Sequence, residues 1–230
     1  MSQDLWKGLK PIARSALATR DYSARMMEAR ELVGQQPIPG VEVFHRKVYQ
    51  QRYRGCFGEF ARQGEGRLGE IGLWPRQWAT AVMYSGTSKG FHLHPPHIPQ
   101  GTEPGAWFQR LFVDEPANYA LRPYDLEQWD CMFFISGIAE MLLIDERAGM
   151  PRRKVRFIIE GDDMPGPNNV GVVIPAGVAH AVRCASSKDL VMVYGTSTVF
   201  APENEGRIEH AVETPAMPPD WEGYWNRDEG

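Results

Sequence analysis

Two histidines one residue apart, His92 and His94 in "KGFHLHPPH", are the residues whose types and spacing first suggest chemistry. On an extended strand, residues i and i+2 face the same side. The two imidazoles therefore point together, as two neighbouring ligands of one metal ion must. Alone, such a pair reads equally well as the polar face of an ordinary strand, so further partners are needed. Cysteine does not supply them. Cys56, Cys131 and Cys184 lie far apart with no C-x-x-C pair, which fits reduced, small apolar core residues and not a disulfide framework or a zinc–thiolate site.

The elements that must carry the pair can be read around it. A chain of 230 residues suits one sizeable domain. A net charge of −4 without a basic stripe argues against nucleic acid as a partner. The longest apolar run, Cys131 to Ile144, is too short to span a membrane and is broken by Gly137 and Glu140. The first residues lack the basic start and apolar stretch of a secretory signal, so a cytoplasmic protein is expected. Residues 1–40 read as an N-terminal helical extension and linker: Tyr22, Met26, Met27, Leu32 and Val33 recur at helical spacing, Gly34 is a stop, and "QQPIPG" follows. From Val41 to about residue 210 the texture is short β-type runs separated by Gly, Pro and Asn, among them "VEVFHRKVY", "QWATAVMYS", "CMFFIS", "AEMLLID", "KVRFIIE", "VGVVIP" and "LVMVYGT". That pattern predicts an all-β sandwich or barrel. About residues 98–127 interrupt it with a long, proline-rich, aromatic insertion, a length that points to function in a compact domain. Residues 211–230 read as an extended tail with Trp221, Tyr224 and Trp225 as anchors.

Gly86, five residues, then His92-x-His94 is similar to the first half of the cupin (double-stranded β-helix) signature. "IPAGVAHAV" is similar to the core of its second half, with Pro175 and Gly177 in the turn and His180 on the returning strand. The resemblance implies a jelly roll in which His180 comes beside His92 and His94. Counting back from Gly137 puts Asp130 at the signature's carboxylate position if the insertion is discounted. His92, His94, Asp130 and His180 are then the expected ligands of a divalent metal, for which Fe, Mn, Ni and Zn are all suitable. His97 stands as an alternative to Asp130 or as a residue at the pocket mouth.

Within the cupins the chain resembles the dTDP-4-dehydrorhamnose 3,5-epimerase (RmlC-like) family, over about residues 41–208. "RGCFGE", "KGFHLHPP", "QWD", "IDERAGMP", "VVIPAGVAHAV" and "FAPENEGRI" carry the likeness. The resemblance implies a homodimer, a sugar or nucleotide-sugar substrate, and His92 as a base that removes a proton beside a ketone. It also implies substrate contacts from Arg54, Glu59 and Lys89. Trp107 and Arg110 of the insertion, with Phe108, read as a lid. The family's acid tyrosine is replaced in Val199-Phe200, its glutamine by His94, and the lysine of its Q-x-K by Asp130. The last two changes both introduce ligand types.

The expectation is thus a metal-dependent cupin enzyme of isomerase or epimerase type acting on a hydroxy-carbonyl small molecule, with Phe200 beside the substrate. His92 is the base if no metal is bound, and a ligand otherwise. An Fe(II) oxygenase using the same ligands and a non-catalytic sugar-binding cupin are the alternatives. Phe57, Phe133 and Phe134 are expected in the core, and His45 and His210 on the surface.

Overall fold

The computed structural model describes residues 26–94, 106, 114, 128–147, 150–200, 206–207 and 224–225. The expectations for residues before 26, for His97, Trp107, Phe108, Arg110, His210 and Trp221, and for nearly all of the insertion lie outside these residues.

Thirteen strands, two single-turn α-helices and a 3-10 turn over Arg52–Arg54 are described: β1 (Met26–Glu28), α1 (Ala29–Leu32), β2 (Glu42–His45), β3 (Val48–Gln50), β4 (Cys56–Gly58), α2 (Gly66–Glu70), β5 (Gln77–Met83), β6 (Ser88–Leu93), β7 (Asp130–Ser136), β8 (Ile138–Asp145), β9 (Lys154–Glu160), β10 (Val170–Ile174), β11 (Val178–Cys184), β12 (Leu190–Thr196) and β13 (Gly206–Arg207). Two sheets face each other, one ordered β1-β9-β8-β11-β6-β13 and the other β2-β10-β7-β12-β5; β3 and β4 form a separate hairpin. This is an all-β jelly roll. None of the described helices is long and apolar enough to cross a membrane.

Side-chain alternation explains the layering. Even positions of β7 and odd positions of β8 meet between the sheets, where Met132, Phe134, Met141 and Leu143 join Phe157, Val172, Val182 and Leu190 in one buried cluster. β8 reads as almost continuously apolar because its other face is covered too: Leu142 and Ile144 pack with Phe91, Ala179, Ala181 and Trp225. Trp225 is buried and the carbonyl of Tyr224 accepts a hydrogen bond from Arg152 Nη2 at 2.8 Å, so both anchor the tail. Among the described residues strand β5 pairs only with β12, and it exposes Trp78 and Val82.

Three expectations change. Of the helix foreseen over the segment before Gly34, the described residues from Met26 on hold only the turn Ala29–Leu32. Met26–Glu28 instead forms β1, which pairs in parallel with β9, Met27 opposite Phe157. The open ladder of β9 outweighs a local helical preference that is weak in so short a segment. Ala29, Leu32 and Ile38 enter the inter-sheet core, so residues 26–40 are continuous with the barrel. Phe57, expected inside, is half exposed because its hairpin leaves both sheets, and Cys56 beside it is exposed; Phe133 and Phe134 are buried as expected.

Gly171 lets β10 pass under the rings of Phe44 and Phe133. A Cβ there would fall against the Phe44 ring and 2.7 Å from a Phe133 ring carbon. Gly171→Ala is expected to cost about 1–3 kcal/mol through overpacking, read as a lower urea midpoint with an unchanged slope.

Candidate active site

The two sheets meet at a group of buried polar side chains in the barrel mouth. His180 lies on β11, directly opposite His92 on β6. His94 follows the end of β6, and its carbonyl accepts a hydrogen bond from Gly177 N at 3.0 Å. Gly177 has a positive φ of 79°, which makes the Pro175–Gly177 turn available to glycine and ties that turn to the second histidine. Asp130 comes from the facing sheet. It opens β7 between Ile174 of β10 and Thr196 of β12, on the same inward face as Met132 and Phe134.

His94 Nε2 is 3.2 Å and His180 Nε2 is 3.5 Å from Asp130 Oδ2. His94, Asp130 and His180 are the described residues whose ligand atoms all lie within 4.8 Å of one another, and all three are buried. Two imidazoles and a carboxylate aimed at one point are a donor set for a divalent transition metal. His92 stands outside this group: its ring stacks on that of His180 with centroids 5.7 Å apart and 23° between planes, and it is only partly buried. The four expected ligands are therefore arranged as three converging groups with one imidazole alongside.

The electrostatics suit a cation. His180 Nδ1 lies 3.2 Å from the Val178 carbonyl, which directs Nε2 toward Asp130 as the acceptor nitrogen of a neutral ring. Burial lowers the His180 pKa to about 3, against the opposing pull of Asp130. Burial acts to raise the Asp130 carboxyl, but His94, then His180 and the hydrogen bond from Gln128, prevail and hold it below the usual carboxylate range. Burial pushes the Cys131 thiol up to about 12, so it supplies no thiolate beside the site.

The other expected site residues are not among the three converging groups. Arg54 ends an exposed turn before β4. Glu59 pairs with Arg62 at 2.9 Å and lines a separate cavity of about 300 Å³ with Phe44, Arg46 and Arg67. Neither has a hydrogen bond or ion pair to the histidines among the described residues; both flank β4 of the separate β3–β4 hairpin. Lys89 is exposed on β6. Phe200 is more than half exposed, and its N–H donates to Gln77 Oε1 at 3.1 Å.

Two polar residues at the site escaped the sequence reading. Gln128 Nε2 donates to Asp130 Oδ1 at 3.0 Å, and Thr198 Oγ1 donates to Gln128 Oε1 at 2.6 Å. The i, i+2 spacing of Gln128 and Asp130 was a signal for the first. No local signal marked Thr198, seventy residues on.

No protein-family model matches the sequence, and no curated protein matches it either. Solved structures do. A double mutant of ChmJ, a 3'-monoepimerase from Streptomyces bikiniensis, in complex with dTDP, is 20% identical, with a TM-score of 0.54 over 75% of this chain and 70% of that one. The rmlC epimerase of Mycobacterium tuberculosis is 21% identical, with a TM-score of 0.54 over 79% of each chain. RmlC from Legionella pneumophila, a dTDP-6-deoxy-D-glucose-3,5-epimerase in complex with dTDP-4-keto-L-rhamnose, is 21% identical, with a TM-score of 0.52 over 79% of this chain and 80% of that one. At these identities the likeness concerns architecture, and the chain has the jelly-roll cupin fold of the RmlC-type sugar epimerases.

Proposed function

We propose that the chain is an isomerase or epimerase of a nucleotide-linked keto-sugar whose site holds a divalent metal on His94, Asp130 and His180. The observation that carries the reading is the buried convergence of those three side chains, with His92 alongside and outside the group. The fold neighbours crystallised with dTDP or a dTDP-sugar support the substrate class. When bound, the ion supplies a fixed positive charge for the oxygen of an enolate.

The arrangement divides two roles that a single imidazole cannot combine. A coordinated nitrogen accepts no proton, so His92, outside the ligand group, is the base that removes the proton beside the carbonyl. Asp130 puts a negative charge where the resemblance has lysine, and a carboxylate facing an enolate is repulsive unless a cation lies between them. Phe200 offers no hydroxyl for proton delivery from the opposite face. His92 therefore removes the proton and returns it on one face, which favours isomerisation over inversion.

The test is proton exchange. Metal-loaded protein incubated with a dTDP-4-keto sugar in D2O is expected to introduce deuterium at the carbon beside the ketone, seen by proton NMR. EDTA should abolish the exchange, and His92→Asn should slow it about 10²–10⁴-fold, the usual worth of a positioned base. Bound dTDP-sugar without exchange would point to a binding protein, and oxygen consumption in place of exchange to an Fe(II) oxygenase; either result overturns the proposal.

A further inference from the structure

We infer that Gln128 and Thr198 are positioning residues that hold Asp130 as a one-oxygen ligand, leaving coordination space for substrate. The inference rests on the metal site proposed above. Thr198 Oγ1 donates to Gln128 Oε1 at 2.6 Å. Ionised Asp130 only accepts, so the amide nitrogen is the end that meets its Oδ1 at 3.0 Å. That bond occupies Oδ1. The other oxygen, Oδ2, is the one facing both His94 and His180. Gln128 Nε2 also lies 3.4 Å from His94 Nε2. Once that histidine nitrogen gives its lone pair to an ion, the amide keeps Asp130 as its acceptor.

The anchor of this relay is secured by the fold. Trp129 N donates to Ser197 Oγ at 2.9 Å, and Ser197 N donates to the Trp129 carbonyl at 3.1 Å. Thr196 stands opposite Asp130 in the β12–β7 ladder, and its hydroxyl donates to the Thr198 carbonyl at 2.7 Å. Residues 196–198 are thus zipped to 128–130, and the Thr198 hydroxyl is delivered to one place. Outer hydrogen bonds that orient a ligand carboxylate commonly matter 10–100-fold in metal affinity. Here the segment that resembles the tyrosine-bearing stretch of the epimerases supports the carboxylate instead of donating a proton.

Co2+ titration of the metal-free full-length chain, followed by its visible d–d absorption, tests the relay. Gln128→Leu is expected to weaken Co2+ binding about 10–100-fold. It should also lower the absorptivity, because the freed Oδ1 can join the ion and raise its coordination number. Thr198→Val should shift both readouts in the same direction by less. Urea denaturation of each metal-free variant separates ligand positioning from a structural role, which would move stability and leave affinity and spectrum alone. Wild type that binds Co2+ while Gln128→Leu binds it equally, with the same spectrum, overturns the relay and spares the metal site. Wild type that binds no Co2+ overturns both.

Discussion

Asp130→Ala is expected to lower metal affinity by at least about 100-fold, more than the loss of an outer hydrogen-bond partner typically costs. The reason is charge. Asp130 is the one anion among the three converging groups, and it is only 4% exposed. Removing it leaves His94 and His180 as the remaining members of the group, and His180 is neutral across the physiological range. Water can replace the lost ligand atom but not its charge, and in a buried site the missing attraction is poorly screened. Elemental analysis of purified wild type and Asp130→Ala, with a Co2+ titration of each, measures the effect. Near-UV circular dichroism shows that the barrel mouth still packs. Equal metal occupancy in the two proteins would sink the ligand assignment.

The second large effect is acid lability of the metal-free protein. His180 has a folded pKa of about 3 against an ordinary value of 6.5, because burial opposes its charging. Between those values the unfolded chain binds a proton that the folded chain refuses. Stability therefore falls as pH drops from about 6.5 toward 3, at about 1.4 kcal/mol per pH unit for one group. Across the whole window the loss reaches roughly 4 kcal/mol, a large share of the stability of an ordinary domain. The lowered Asp130 acts in the same sense at the acid end: its contribution is present above its unfolded pKa and is lost as pH falls through the folded one. Urea denaturation in EDTA at a series of pH values reads the slope. His180→Asn should flatten the acid limb by about one proton, and parallel limbs in the two proteins would contradict the assignment.

The β architecture was legible because short apolar or alternating runs bounded by Gly and Pro leave few other solutions. Strands β5, β7, β8, β9, β10 and β12 each overlap one of the runs read from the sequence. Errors arose where a partner distant in sequence decides the local state. Met26–Glu28 has helical spacing but completes a ladder with β9. Phe57 has a core residue's character but sits on a hairpin outside both sheets. Arg54 and Glu59 follow a recognisable motif, yet Glu59 pairs with Arg62 on the segment after the separate β3–β4 hairpin. Arg46, unremarkable in sequence, is buried against Asp162 at 2.8 Å because β2 and the segment after β9 come together.

By itself the sequence determined the fold class and singled out the side chains of the proposed site, His92, His94, Asp130 and His180. It could do so because ligand types at i, i+2 spacing, followed by a Pro-x-Gly turn and a histidine, are local facts of the chain. Which of the four converge was decided by tertiary structure. Strand register brings His180 opposite His92, whereas the facing sheet brings Asp130 to His94 and His180 and leaves His92 alongside. The Thr198–Gln128–Asp130 relay was likewise decided by the β12–β7 ladder. Hydrogen bonds between residues seventy positions apart depend on register and sheet packing, which no local pattern encodes.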